Sequence, residues 1–297
     1  MTRLWLAAVL LFPQEKGSPF KFEKDAGTLA VTEGGKPFLT YRYGDAPFKP
    51  YVKTLCTPSG LQILRDSPAD HVHHRGIMYA VEVDKVDFWA EGAKSGKQVG
   101  VSLETSADKS SARIVQRLNW VPPGSEKPLL VEERRIEAYS VVGPRLLTWS
   151  ARLRPAEGLG KVTVTGSHYQ GLGLRFVQSM DGPDRFVHAA GDPGTVVRGS
   201  ERVTPSAWSA YAGAVDGKTV TVAVFDHPKN LRGPAGMFTM FKPFSYLAAT
   251  PNVWKNPFEL KSGESLDLRY GVALWEGEAG REEIGRMHRA WLGLVGE

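Results

Sequence analysis

Residues 70–75, DHVHHR, place an aspartate, three of the chain's seven histidines and an arginine within six positions. Imidazole gives or takes a proton near neutral pH, and a fixed guanidinium holds a carboxylate or an oxyanion. If the stretch is extended, His71 and His73 face one way and His74 the other, because strand side chains alternate. Two imidazoles at i and i+2 can share a metal ion, with Asp70 as a further ligand or a ring-orienting partner. No second cluster of similar density supplies the remaining ligands, so a metal at His71 and His73 stands as a secondary reading and no cofactor is assigned. Gly76, directly after Arg75, lets the backbone turn tightly or approach a ligand. The purely structural alternative is that these polar groups bond to loops at a sheet edge.

Two later segments carry similar residue types. In GSHYQGLGLRF, His168 and Tyr169 precede Gly171 and Gly173, where a strand bends or admits a ligand, and Arg175 lies among apolar residues. A charge in that setting needs a partner, which a protein or a substrate carboxylate can supply. In VFDHPKN, Asp226 and His227 follow an apolar run that Pro228 stops, which sets both at a strand end, and Asn230 can cap the turn or donate to a ligand. Trp89 in DFWAEG and Trp254 in NVWKNPFEL are candidate stacking platforms for the C–H faces of sugars, although core filling is the default use of tryptophan.

The elements that must position these groups read as short strands punctuated by Gly, Pro and Asp. GTLAVTEGGKPFLTYRYG alternates on both sides of Glu33-Gly34-Gly35, the mark of a hairpin. TVTVAVF puts Val220, Val222 and Val224 on one face, and LDLRYGVAL does the same for Leu266, Leu268 and Tyr270. With no helical pattern between such runs, the chain is read as all-β, an antiparallel sandwich rather than βαβ units. The exception is a helix over residues 278–294, where Ile284, Met287, His288, Trp291 and Leu292 share one face.

The 297 residues, 42% hydrophobic and 23% charged, suit a single domain over residues 19–297. Residues 1–18 start with Arg3 and an apolar run over 4–12, which resembles a secretory signal and predicts export; the competing reading is a cytoplasmic chain with an apolar first strand. No later stretch approaches the ~18 uncharged apolar residues of a span, so no membrane partner is expected once the leader is removed. The net charge of +5 is spread among acids, as in EERRIEAYS, which argues against a nucleic-acid partner. The single Cys56 excludes an internal disulfide or a CxxC motif.

TPSG at 57–60, DHVHHRG at 70–76, VDFWAEG, GLGLRF, DHPKN and NPFELKSGESLDLRYGVALWEG, in that order over residues 36–277, resemble the domain family known as methane oxygenase PmoA-like. The resemblance implies a largely β fold similar to the galactose mutarotase-like supersandwich, and export by bacteria that degrade polysaccharides. In sugar mutarotases of that broad architecture a histidine acid and a carboxylate base act on the ring oxygen and the anomeric hydroxyl. By that analogy the candidate acids here are His71, His73, His74 and His168, and the candidate bases Asp70 and Asp226. Arg75, Trp89, Tyr169, Arg175, His227 and Asn230 are the candidate substrate contacts. The leading expectation is a carbohydrate-active enzyme of epimerase, lyase or glycosidase type with a small-molecule or oligosaccharide ligand. A non-catalytic carbohydrate-binding protein comes second, and a metal-dependent oxidoreductase, suggested by the family's label, third.

Overall fold

The computed structural model describes residues 17–183 and 185–296, together with the backbone of Ala8–Leu11. The expected leader at 1–18 lies outside the described residues apart from Ala8–Leu11, Gly17 and Ser18.

Turn chemistry sets the strand spacing. Gly34 and Gly35 both hold positive φ, 58° and 78°, which a two-residue hairpin turn requires, and they join Thr28–Glu33 to Lys36–Arg42 as the sequence predicts. Asp84 and Lys85, at φ 48° and 65°, do the same between Glu82–Val83 and Val86–Asp87, and so deliver the DFWAEG segment.

Among the described residues the strands form two large sheets and one small one. The first runs, edge to edge, Ala8–Leu11, Lys97–Ala107, Ser111–Val121, Leu130–Tyr139, Arg145–Pro155, Leu266–Glu276, Lys218–Asp226, Trp208–Val215 and Phe186–His188. Its pairings are antiparallel except for Ala8–Leu11, which lies parallel to Lys97–Ala107. The second runs Thr195–Arg198, Glu201–Pro205, Gly236–Met240, Tyr246–Thr250, Gly171–Arg175, Ile77–Ala80, Tyr51–Leu55, Lys36–Arg42, Thr28–Glu33 and Phe20–Asp25. The small sheet pairs Phe258–Lys261, Lys161–Thr165 and the Glu82–Asp87 hairpin.

One apolar core joins the two large sheets, with Val220, Val222, Val224, Leu266, Leu268 and Tyr270 from the first and Leu39, Ile77, Leu172, Leu174 and Leu247 from the second. The alternation read from the sequence therefore selects the inward face correctly. The fold is mostly β, with antiparallel sheets and one C-terminal helix, Arg281–Val295. That helix buries Ile284 and Trp291 on a second cluster with Leu146, Phe225, Ala273 and Trp275. Gly271 permits the approach: a β-carbon there would meet the Trp291 indole at 2.8 Å. Trp291 Nε1 also donates to Thr148 Oγ1 at 2.8 Å. No helix of the described residues is long and apolar enough to cross a membrane.

Candidate functional site

The histidine stretch is a turn, which corrects the extended reading. Pro68 has no N–H to offer a ladder, and the following donors bond locally: His71 N–H to Pro68 O at 3.0 Å and His74 N–H to His71 O at 2.9 Å, while Ser67 N–H closes onto His74 O at 2.9 Å. His74 is consequently on the same side as its neighbours, its ring stacked on His71 at 4.8 Å between centroids and edge-on to His73 at 4.6 Å.

All three imidazoles line a pocket of about 300 Å³. Its floor comes from the second large sheet, where Phe238 and Met240 of Gly236–Met240 stand beside Tyr246. Trp89 and Phe244 add aromatic walls, and Tyr169, Arg198 and Glu201 form the far side. The alternating GLGLR run fits this face by period two. Leu172 and Leu174 enter the core, while Gly173 faces the site with no side chain, and its missing β-carbon leaves the space taken by Tyr246 Oη and the Trp89 ring. The glycine expected to admit a ligand instead admits the tyrosine that lines the pocket.

Three polar atoms at this pocket, His74 Nδ1, Trp89 Nε1 and Tyr246 Oη, are buried without a hydrogen-bond partner among the described residues. Their residues are 7%, 2% and 2% exposed. Buried polar atoms are ordinarily satisfied, so these three retain unused hydrogen-bonding capacity just behind the lining. Burial, reinforced by His73, His71, Arg175 and Lys49, holds His74 far below the usual imidazole range, and burial likewise lowers His73. Both rings are therefore neutral at pH 7. Burial drives Tyr246 well above the usual phenol value, so its hydroxyl keeps its proton.

Across the pocket, His168 Nε2 and Glu201 Oε2 meet at 3.0 Å, and Ser167 Oγ lies 3.4 Å from His168 Nδ1. Arg198 Nη2 donates to the other Glu201 oxygen at 2.6 Å. Burial alone would raise Glu201, but hydrogen bonds from Arg198 and His168 outweigh it and hold the carboxylate below its usual range. Tyr169 and Phe238 pack around the His168 ring at 5.1 and 5.5 Å, and Trp254 lies 5.9 Å away.

The arginines divide. Arg75 is occupied by protein: Nε and Nη2 reach the two oxygens of Glu91 at 3.1 and 2.6 Å, and Nη1 reaches Asp66 at 3.4 Å. Glu91 also accepts from Lys49 Nζ at 2.9 Å, and Lys49 donates to Trp89 O at 2.8 Å, so this buried network fixes the backbone that carries Trp89. Arg175 is less committed, with Asp70 Oδ2 3.4 Å from its Nη2, and that oxygen lies 3.0 Å from His71 Nδ1.

Asp226, His227 and Asn230 do not converge on this pocket. Asp226 ends a strand of the first large sheet, and its carboxylate accepts from Asn230 Nδ2 at 2.6 Å and Ala235 N at 2.7 Å. Asn230 Oδ1 accepts from Arg269 N–H at 2.7 Å, and His227 Nε2 lies 3.0 Å from Gly296 O. These residues tie the loop ahead of Gly236–Met240 to the neighbouring strand and to the end of the helix. Among the described residues no group of three or more His, Cys, Asp or Glu side chains is placed to hold a metal ion. Sequence reasoning missed Glu201, Arg198, Phe238, Phe244 and Tyr246; only the strand pairing brings them to the histidines.

The chain belongs to a family of unknown function, DUF6807, whose model matches residues 28–289. No curated protein matches it. Among solved structures, the galactosidase domain of the alpha-galactosidase-sucrose kinase AgaSK superposes with a TM-score of 0.51 at 13% identity, over 87% of this chain and 42% of that one. The GH36 alpha-galactosidase AgaA from Geobacillus stearothermophilus, in complex with raffinose, gives 0.45 at 10% identity, over 88% and 41%. A galactose mutarotase related enzyme from Lactobacillus acidophilus gives 0.36 at 8%, over 88% and 100%. At these identities the likeness is one of fold, and the chain spans about two fifths of the length of the two galactosidase chains.

Proposed function

We propose that this DUF6807 member is a carbohydrate-active enzyme that works by proton transfer in the pocket between the histidine turn and the His168–Glu201 pair. The observation that carries the reading is the aromatic-walled hollow that gathers His71, His73, His74 and Glu201 with Trp89, Tyr169 and Tyr246. Sugars combine apolar C–H faces with many hydroxyl oxygens, and such a hollow offers stacking surface together with fixed polar partners.

The acid/base assignment follows from the titratable groups that line the pocket on its two sides. His73, half-buried and neutral, can accept a proton on one side of a bound ring. On the other side Glu201, which lines the pocket with His168 behind it at 3.0 Å, can give or take one. Glu201 is the one carboxylate among the described lining residues, whereas hydrolysis of a glycosidic bond ordinarily uses two. Epimerisation or elimination therefore suits the pocket better than glycoside cleavage.

Binding without turnover is the second reading, and the observation favouring it is the Arg198 clamp, which makes Glu201 a weaker base. The motif resemblance to PmoA-like proteins lends no reaction to this proposal. Export, argued from Arg3 and the apolar run at 4–12, is part of it, and N-terminal sequencing of secreted and cell-bound protein tests that element.

The deciding experiment titrates the protein with neutral and acidic mono- and oligosaccharides, following intrinsic tryptophan fluorescence for binding and analysing products for turnover. Saturable binding with turnover that falls on replacing His168 supports the enzyme; binding without turnover favours the second reading; no saturable binding to any sugar removes both.

A further inference from the structure

A sharper statement about the ligand's class rests on the carbohydrate reading above. Arg175 is 1% exposed, and its Nε and Nη1 are buried without hydrogen-bond partners among the described residues. Phe244 covers one face of the guanidinium, the ring centroid 3.5 Å from Cζ. Arginine grips a carboxylate through a fork of two N–H groups, and both forks with adjacent donors include Nη2. Here Nη2 is held by Asp70 alone, at 3.4 Å, the long end of hydrogen bonding. Each fork is therefore only half used.

Asp70 is a loosely held partner. Its side chain is 45% exposed at the tip of the histidine turn, and the same Oδ2 also meets His71 Nδ1 at 3.0 Å. That oxygen thus sits between a buried arginine and an imidazole that lines the pocket. Of the groups whose charges bear on neighbouring His74, Arg175 and Lys49 are cations, and Asp181 and Asp70 are the acids that bear on Arg175.

We propose that the ligand is a sugar acid of the hexuronate class, its carboxylate replacing that of Asp70 between His71 and Arg175. Once Asp70 swings out, one carboxylate can take Nη2 together with Nε or Nη1, which fills the fork that the protein leaves open. A hexuronate also carries an acidic C–H beside its carboxylate, the position at which the proton transfer proposed above would act.

The test compares glucuronate and galacturonate with their methyl esters, which keep the shape and remove the charge, in calorimetric titrations of the full chain. The acid is expected to bind about tenfold more tightly than its ester, as a charge-assisted fork does over a neutral contact. Asp70→Asn removes the competing carboxylate and is expected to strengthen the acid several-fold more than the ester. Arg175→Gln is expected to abolish the preference, with circular dichroism confirming that the variant is folded; if it does not fold, Asp70→Asn decides. Equal binding of acid and ester in both the parent and Asp70→Asn overturns the hexuronate assignment while leaving the sugar reading in place. Binding of neither overturns both.

Discussion

Tyr246 lies with its hydroxyl in the space that a side chain at Gly173 would occupy. The two residues sit on neighbouring strands, Gly173 facing Ala248 in the ladder and Tyr246 facing Arg175, so the absent β-carbon and the phenol are partners in one packing arrangement.

Gly173→Ala is therefore expected to disrupt the pocket more than the core. The added carbon would overlap Tyr246 Oη and come within 2.9 Å of Trp89 Cη2, so both rings must shift. Overpacking of this kind costs about 1–3 kcal/mol. Ligand affinity should fall at least tenfold and the tryptophan emission should change, and unaltered binding with unaltered emission would remove Tyr246 and Trp89 from the site.

Glu201→Gln keeps the shape of the His168 partner and removes its charge. If the pair carries proton transfer, turnover should fall by about 10²–10⁴ while ligand affinity changes only a few-fold. An equal loss in affinity and none in the rate constant would make Glu201 a binding residue. Glu201 could not have been picked from the sequence. It lies 33 residues beyond His168, in a polar stretch that reads as a turn, and only the pairing of Glu201–Pro205 with Gly236–Met240 carries it to the pocket. The histidines were legible because their crowding survives in one dimension, whereas their common orientation depends on turn bonds at Pro68 and His71 that a strand reading cannot supply. DHPKN lies away from the histidines for a related reason: a polar cluster after an apolar strand looks the same in sequence whichever face it meets, and here Asp226 bonds Asn230 while His227 and Asn230 line a separate hollow. Strand faces and the terminal helix were legible because burial acts on every second or every third to fourth residue, as at Val220, Val222 and Val224.

Glu91→Gln should destabilise the fold far more than it alters chemistry. The Glu91 carboxylate holds Lys49 and Arg75, whose side chains are 0% and 11% exposed. Removing its charge strands Lys49 and leaves Arg75 with Asp66 as its remaining carboxylate, at a cost of about 3–5 kcal/mol. The exposed pair Arg152–Asp267, 51% and 52% exposed, provides the contrast: Asp267→Asn should cost under about 1 kcal/mol. Urea unfolding of the two variants side by side measures the difference, and similar losses would mean that the Glu91 network does not fix this part of the fold.

Acid should destabilise the folded protein through His74. The ring is held neutral by burial and by the neighbouring His73, His71, Arg175 and Lys49, so in the pH range below 6.5 the unfolded chain binds a proton that the folded chain refuses. The contribution is complete above pH 6.5 and is lost as pH falls, reaching about 2 kcal/mol at pH 5. Asp226 acts in the opposite sense. Burial pushes its carboxyl up to about 6, so the folded state holds a proton that the unfolded chain has released above pH 3.8, and its contribution is lost as pH rises through 6. The two slopes partly cancel in the parent between pH 4 and 6. His74→Phe keeps a ring against His71 and Tyr246 and removes only the titration. The stability of the variant relative to the parent should therefore rise by about 2 kcal/mol on going from pH 7.5 to 5. A pH-independent difference in urea unfolding would place a charged or solvated imidazole at this position.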